Sequence, residues 1–244
     1  MNPTIECLNC ENVFEKRKLR CPSCNEIGVS KLYKYLPFNE NSLSLLINEQ
    51  IWCPKASTLN DPFEFRFHMI GTHDDGRPIA QSSVEKAINN TKELGVISLS
   101  EINDDILMWS HYAEGHTGFC IEFERSHDNA LGRYDECLPV IYDSAKVPSF
   151  EPKDIEIQKD PMLVILTTKA PNWSYEKEWR LIIEKRSSND LIKLPTKITS
   201  VIFGCKMDDA KRRTILNILD DDMMYSEAKQ SKESFSLDIV SFLS

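Results

Sequence analysis

A chain of 244 residues that is 41% hydrophobic and 9% aromatic holds enough apolar material for one large domain, or a domain plus a small module, and is not a disordered polymer. Its net charge of −9 argues against broad electrostatic capture of nucleic acid. No apolar run approaches the roughly 20 residues of a membrane span, and MNPTIECLNC lacks a signal-peptide core, so a cytoplasmic protein with no membrane partner is expected.

The charge is uneven. Residues 1–35 carry six basic against four acidic side chains, a net of +2, leaving −11 for the remainder. The first expected unit is a small head over residues 1–30, and the second is a body over 31–244. In the head, Cys7 and Cys10 are followed after ten residues by Cys21 and Cys24. Two C-x-x-C knuckles at this spacing close a tetrahedral thiolate site, and zinc is favoured over iron or a redox disulfide pair in a cytosolic chain without thioredoxin context. Four protein ligands leave no open position, so this zinc ribbon is expected to be structural, with Zn²⁺ binding supplying much of its folding free energy. Cys53, Cys120, Cys137 and Cys205 are scattered and read as core packing.

The body opens with KLYKYLPF (31–38), an aromatic strand ended by proline, then a helix over 42–48 with Leu43, Leu46 and Ile47 facing inward. Residues 51–54 resume extended structure before a polar turn at 57–62. Phe63, Phe65 and Phe67 alternate with Glu64, Arg66 and His68 as in a strand. A turn at 73–77, a helix over 84–94 ending at Gly95, and a buried strand over 95–100 follow. Residues 104–114 are helical, with Ile106, Leu107, Trp109 and Tyr112 as packing candidates; 119–123 and 138–142 are strands. The acidic, proline-punctuated segment 143–160 is a loop and 162–169 a helix. Beyond these lie a strand over 198–203, a helix over 208–219, a mobile stretch over 220–232 and a last strand over 235–242.

The segment WSYEKEWRLIIE (173–184) organises the rest. With period two, Trp173, Tyr175, Trp179, Leu181 and Ile183 form an apolar face, and Glu176, Glu178 and Arg180 share the other. Two readings are open: a solvated, salt-bridged outer face, or two glutamates lining a cleft where one carboxylate does acid–base or electrostatic work. Short strands mixed irregularly with four or five helices imply α+β, with mixed, mostly antiparallel sheets and flanking helices. The sequence lacks G-x-G-x-x-G, G-x-S-x-G and the P-loop pattern, which sets aside dinucleotide-fold dehydrogenases, hydrolases and P-loop NTPases.

Four segments, LYKYLPFNENSLSLL (32–46), STLNDPFE (57–64), ILMWSHYAEGHTGFCIEFE (106–124) and WSYEKEWRLI (173–182), resemble the bacterial domain-of-unknown-function family 2971. The ribbon is outside that pattern and reads as an accessory. The order of elements is also similar to ADP-ribosyltransferases, including toxins that modify nucleic acid, and this likeness implies an ADP-ribosyltransferase-like fold and NAD as substrate. It implies Glu178 as the catalytic glutamate, with Glu176 as its companion. Ser98 and Ser100 stand where that fold has a serine pair, and Lys34 where it has a first-strand Arg or His, flanked by Tyr33 and Tyr35 as stacking surfaces for nicotinamide. Lys34 or Arg180 would neutralise pyrophosphate, and Arg180 also reads as a structural ion pair to Glu178.

Asn60, in a turn by its chemistry, is expected at the cleft rim, and His111 and His116 are ligand or core candidates. On one helix His111 cannot face the same way as Tyr112. The expected function is an NAD-using effector in a toxin or phage-defence system, with nucleic acid or protein as acceptor and an antitoxin or defence component as partner. The alternative is a non-catalytic module whose ribbon binds nucleic acid or protein above a scaffold. Metal-dependent nuclease chemistry lacks a carboxylate constellation.

Overall fold

The computed structural model describes residues 4–7, 9–69, 86, 89–133, 135–143, 147–150, 161–183, 190–219 and 222–242. The expected turn at 73–77, the start of the helix expected over 84–94 and most of the 143–160 segment lie outside these residues; residues 89–92 are helical.

The head begins with β1 (Thr4–Glu6) and β2 (Val13–Glu15), paired antiparallel with Ile5 opposite Phe14. An isolated two-stranded hairpin is marginal in water. Phe14 packs on Cys7 and Cys21, with Ile5 and Cys24 at the edge, so the cysteines themselves form the head's core.

The body strands, in chain order, are β3 (Lys31–Leu36), β4 (Gln50–Cys53), β5 (His68–Met69), β6 (Gly95–Ser100), β7 (Phe119–Glu124), β8 (Cys137–Pro139), β9 (Ile141–Tyr142), β10 (Ser149–Phe150), β11 (Thr168–Lys169), β12 (Glu178–Ile183), β13 (Asp190–Lys193), β14 (Ile198–Phe203), β15 (Met224–Gln230) and β16 (Leu237–Ser241). Besides the helical residues 89–92, the α-helices among the described residues are α1 (Glu40–Asn48), α2 (Ile106–Tyr112), α3 (Pro161–Thr167) and α4 (Asp209–Ile218). Eight strands form one sheet in the order β16-β15-β14-β7-β3-β6-β12-β8. Its neighbours run antiparallel except β14 and β15, which are parallel. This is the α+β class with mostly antiparallel sheets.

Both faces of the sheet's middle are covered, which is why β6, β7 and β14 are mostly apolar and buried. On one face Leu32, Ile97, Ile121, Trp179, Leu181 and Val201 pack under α1 and α4 through Leu45, Leu46 and Ile215. On the other, Tyr35, Cys120 and Ile202 lie against Met108 and Trp109 of α2. On that same face Val96, Leu138 and Ile182 lie against Ile165 and Leu166 of α3. Between these two clusters the face turns polar, because Ser98, Ser100, Glu178 and Arg180 alternate with the apolar residues opposite. Here the sheet also opens. β3 pairs with β7 over its whole length but with β6 at Tyr33↔Ser100 alone among the described residues.

Several expectations are corrected. Residues 173–183 are not one strand: Pro171–Glu176 is a 3₁₀ turn, Lys177 is left-handed (φ 45°), and β12 starts at Glu178. Pro171, with its fixed φ and missing N–H, suits the first turn of a helix rather than a ladder. Trp173 therefore leaves the core and is half-buried, with Lys169 4.8 Å above its ring. The Phe63–Phe67 alternation forms turns, not a strand: Asp61 Oδ1 accepts from the Phe63 N–H at 2.9 Å and Phe65 takes φ 58°, so Phe63 faces solvent.

In α1 the capping box of Asn39 and Ser42 starts the helix at Glu40, and the buried stripe is Ser42, Leu45 and Leu46, with Ile47 61% exposed. In α2 Met108 joins Trp109 inside, while Ile106 and Leu107 are exposed. The strand expected over 138–142 is two short pieces, β8 and β9, divided after Pro139, which has no N–H for a ladder. The stretch expected to be mobile over 220–232 contains β15, which is paired on both sides.

Candidate functional site

A cavity of about 240 Å³ lies over the opening between β3 and β6. Of the residues expected there, Glu176, Glu178, Arg180, Tyr33, Lys34, Tyr35, Ser98, Ser100 and Asn60 all line it. His111 does not: it is exposed on α2, its ring 6.3 Å from those of Tyr112 and Tyr175. His116 lines a different cavity, beside Cys205 and the β15–β16 connection.

Glu176 and Glu178 reach one cleft by a route that period two does not describe. The left-handed Lys177 stands between them, and Ser100, the last residue of β6, and Glu101 after it hold that turn. Ser100 Oγ donates to the Glu176 carbonyl at 2.7 Å and the Glu101 N–H to the Lys177 carbonyl at 3.1 Å. The face expected in one reading to be solvated is buried, with Arg180 at 0% exposure and Glu178 at 5%.

A buried ionised group needs partners, and here two cations serve three carboxylates, with Glu64 Oε1 3.3 Å from Lys169 but without a hydrogen bond. Arg180 Nε and Nη2 donate to the two Glu178 oxygens at 2.8 and 3.0 Å, Nη2 also to Glu64, and Nη1 to the Leu166 carbonyl at 2.6 Å. Lys169 Nζ sits among three carboxylates, 2.6 Å from Glu176, 3.2 Å from Glu178 and 3.3 Å from Glu64. Tyr112 donates to Glu176 Oε1 at 2.6 Å and accepts from Asn60 Nδ2 at 3.0 Å. The Glu178 N–H donates to the Tyr142 hydroxyl at 2.8 Å.

The environment separates the two neighbouring acids. Burial raises Glu178, but Arg180 and Lys169 outweigh it and hold the carboxyl at about 2. Burial likewise raises Glu176, and there it prevails over Lys169, helped by the charge on Glu178, so Glu176 stays above the usual carboxylate value. Burial lowers Lys169, yet the three carboxylates lift it above an ordinary lysine. Lys34 differs: half-buried, it donates to the Ser98 carbonyl at 2.9 Å, and burial lowers its pKa against the pull of Glu178. The arrangement offers a fixed carboxylate, a second acid able to exchange a proton, and a cation at the mouth of the split.

Sequence reasoning did not place Lys169 or Glu64 in the site. Lys169 is a single lysine after an apolar helix and carries no signal of its own. Glu64 lies in the NDPFE segment that carries the family resemblance, but the strand phase assigned there disguised it.

A family model described as "Protein of unknown function (DUF2971)" matches residues 108–181. These residues belong to the DUF2971 family. The DUF2971 segment runs from the middle of α2 into β12 and so supplies Tyr112, Lys169, Glu176, Glu178 and Arg180, while Tyr33, Lys34, Asn60, Glu64, Ser98 and Ser100 come from outside it. No curated protein and no solved structure matches the chain.

The head holds the second group. Each knuckle closes in the same way: Glu11 N–H donates to the Cys7 carbonyl and Asn25 N–H to the Cys21 carbonyl, both acceptor-to-donor steps of four residues ending in left-handed residues. The four sulfurs lie within 4.8 Å of one another, with Cys7–Cys24 at 3.5 Å and Cys10–Cys21 at 3.6 Å. Tetrahedral thiolate coordination at about 2.3 Å places sulfurs about 3.8 Å apart, so the cluster fits one metal ion. Among the described residues no helix is long and apolar enough to cross a membrane.

Proposed function

We propose that this protein is an ADP-ribosyltransferase-like enzyme, cytoplasmic, using NAD to modify nucleic acid or protein in a toxin or phage-defence setting. The observation that carries the reading is the division of labour between two acids in one cleft: Glu178 held ionised by Arg180 and Lys169, Glu176 held above the ordinary carboxylate range. In the reaction the bond from ribose C1′ to nicotinamide nitrogen breaks and its electron pair leaves with the neutral pyridine. The ribosyl cation that develops is stabilised by the carboxylate network, in which three acids face two bases. The acceptor's nucleophilic atom bonds to C1′ and its proton passes to Glu176. Tyr33 or Tyr35 stacks on nicotinamide, and Lys34 takes the pyrophosphate charge as a point cation. A second cavity of about 480 Å³, sharing Leu59 and Glu64 with the first, gives the rest of the dinucleotide room. The cysteine cluster holds a structural zinc, whose bound form supplies folding free energy to the head.

The second reading is a non-catalytic zinc-ribbon module for nucleic acid or protein, with the body as scaffold. It is favoured by the fact that both Glu178 oxygens are already taken by Arg180. One experiment separates them. NAD consumption, and toxicity on expression, are measured for the protein and for Glu178→Gln, alongside the thermal midpoint with and without NAD. The enzyme reading expects a midpoint shift with NAD and a rate loss of about 10²–10³ in the variant. Equal turnover in both removes Glu178 from the mechanism, and absence of any NAD-dependent shift leaves the scaffold reading.

A further inference from the structure

The head is not merely tethered to the body. Lys16 of the head places its ammonium 2.7 and 2.8 Å from the two oxygens of Glu101, and the indole N–H of Trp179 donates to the same carboxylate at 2.7 Å. Glu101 follows the last residue of β6, and its N–H holds the Lys177 carbonyl in the turn between Glu176 and Glu178. Arg125, almost fully buried, lies with its guanidinium 4.4 Å above the Trp179 ring and donates to the carbonyls of Arg17 at 2.8 Å and Val29 at 3.2 Å. Two head contacts thus converge on the residue next to Glu178.

We propose that Glu101 is a positioning residue through which the cysteine-built head holds the Glu176–Lys177–Glu178 turn in place. A left-handed lysine is an unfavourable backbone state that persists where its surroundings over-determine it. Ser100 and Glu101 supply those surroundings on one side, and Lys16 fixes the Glu101 side chain. The head has little apolar core beyond Phe14 and its cysteines, so its order depends on the cysteine cluster being closed by an ion. Opening the cluster withdraws Lys16 and the Arg17 carbonyl together, and leaves Glu101 and Arg125 to find new partners beside Trp179. The cleft's two acids then lose the geometry that separates them. This holds whatever the cleft binds, so it stands or falls separately from the NAD reading.

The test uses the full chain. Lys16→Met and Glu101→Gln are compared with the native protein and with Lys18→Met, an exposed head lysine, as control. Glutamine keeps an acceptor for the Trp179 indole and loses the charge that holds Lys16. Amide exchange is followed at 177–181, with β7 as the internal reference, and the Glu176 carboxyl is titrated by carbon NMR. Expected are exchange at least about tenfold faster at 177–181 in Lys16→Met, which loses both charge-assisted hydrogen bonds to Glu101, and a Glu176 titration that falls toward the ordinary carboxylate value. β7 and the Lys18→Met control stay unchanged. Chelation of the head's metal, monitored by metal content, gives the same pair of changes. Native-like exchange and an unmoved Glu176 titration in Lys16→Met overturn the proposal, even if Glu101→Gln fails to fold. A chelated head that loses its own protection while 177–181 keep theirs overturns it equally.

Discussion

Arg180→Met is the sharpest probe of the charge network. Methionine keeps part of the arginine stem's volume but removes every donor that Arg180 gives to Glu178, Glu64 and the Leu166 carbonyl. Both carboxylates are then left to Lys169, which already serves Glu176. Removing one partner of a buried ion pair costs about 3–5 kcal/mol, and an orphaned buried carbonyl adds about 1–3 kcal/mol. One carboxylate escapes part of this by binding a proton, so the net loss is taken as about 4 kcal/mol, or roughly 8–16 °C in midpoint for a domain of this size. Urea denaturation at pH 7 measures it, and repetition at pH 4 should show a smaller difference, because there a carboxyl can be neutral. The companion is the double variant Glu178→Gln/Arg180→Met, which should recover at least about 1 kcal/mol because it strands one carboxylate fewer than Arg180→Met, only Glu64 and Glu176 remaining to share Lys169. A single-variant loss below about 1 kcal/mol, the scale of a surface pair, would falsify the buried charge network.

Glu178 also sets an acid dependence. Its folded value of about 2 lies below the ordinary 4.5, so its contribution is complete above pH 4.5 and is lost as pH falls through about 2, a total on the order of 3 kcal/mol. Glu176 acts in the opposite sense: its cost at neutral pH vanishes as pH falls below its raised value, which flattens the upper part of the curve. Urea midpoints between pH 5 and 2 should fall less steeply in Glu178→Gln than in the native protein, and identical slopes reject the assignment. Tyr112→Phe removes a hydrogen bond that favours ionised Glu176, so the Glu176 titration should rise further, and a fall contradicts the geometry. Trp179→Ala should cost about 3–5 kcal/mol; a native-like midpoint would show that the β12 core is misplaced. Chelation should release one metal ion per chain and unfold the head, while the body keeps its transition; metal-free protein with an ordered head refutes the cysteine site.

The sequence was most informative where a period or a spacing is set by one physical rule. The spacing of Cys7, Cys10, Cys21 and Cys24 is a statement about four sulfurs around one centre, and the sulfurs do converge. The apolar alternation of Trp179 and Leu181 likewise puts both in the core. The failures arise where one residue breaks a period. Lys177 in a left-handed conformation leaves Glu176 and Glu178 in one cleft, but through a turn and not a strand. Phe65 in the same conformation turns an apparent strand into the loop that delivers Glu64. Nothing local marks a lysine or a glutamate for such positions. Lys169 was illegible for a different reason: its role exists only through Glu64, Glu176 and Glu178, which reach it from three separate elements.

The strand order also fixes when the cleft comes into being. β3 and β6 define its opening, and both leave the ribosome well before β12, which must insert between β6 and β8. Lys169, Glu176, Glu178 and Arg180 are all made in one late stretch, after Glu64 has already been delivered. Until that stretch arrives, the nascent chain has an unpaired β6 edge and a lone acid where the network will stand. Pairing at such sequence separation is slow and leaves edges exposed meanwhile. A ribosome stalled before Lys169 therefore carries a body with neither of the network's cations, so the charge network forms only once residues 169–180 have emerged.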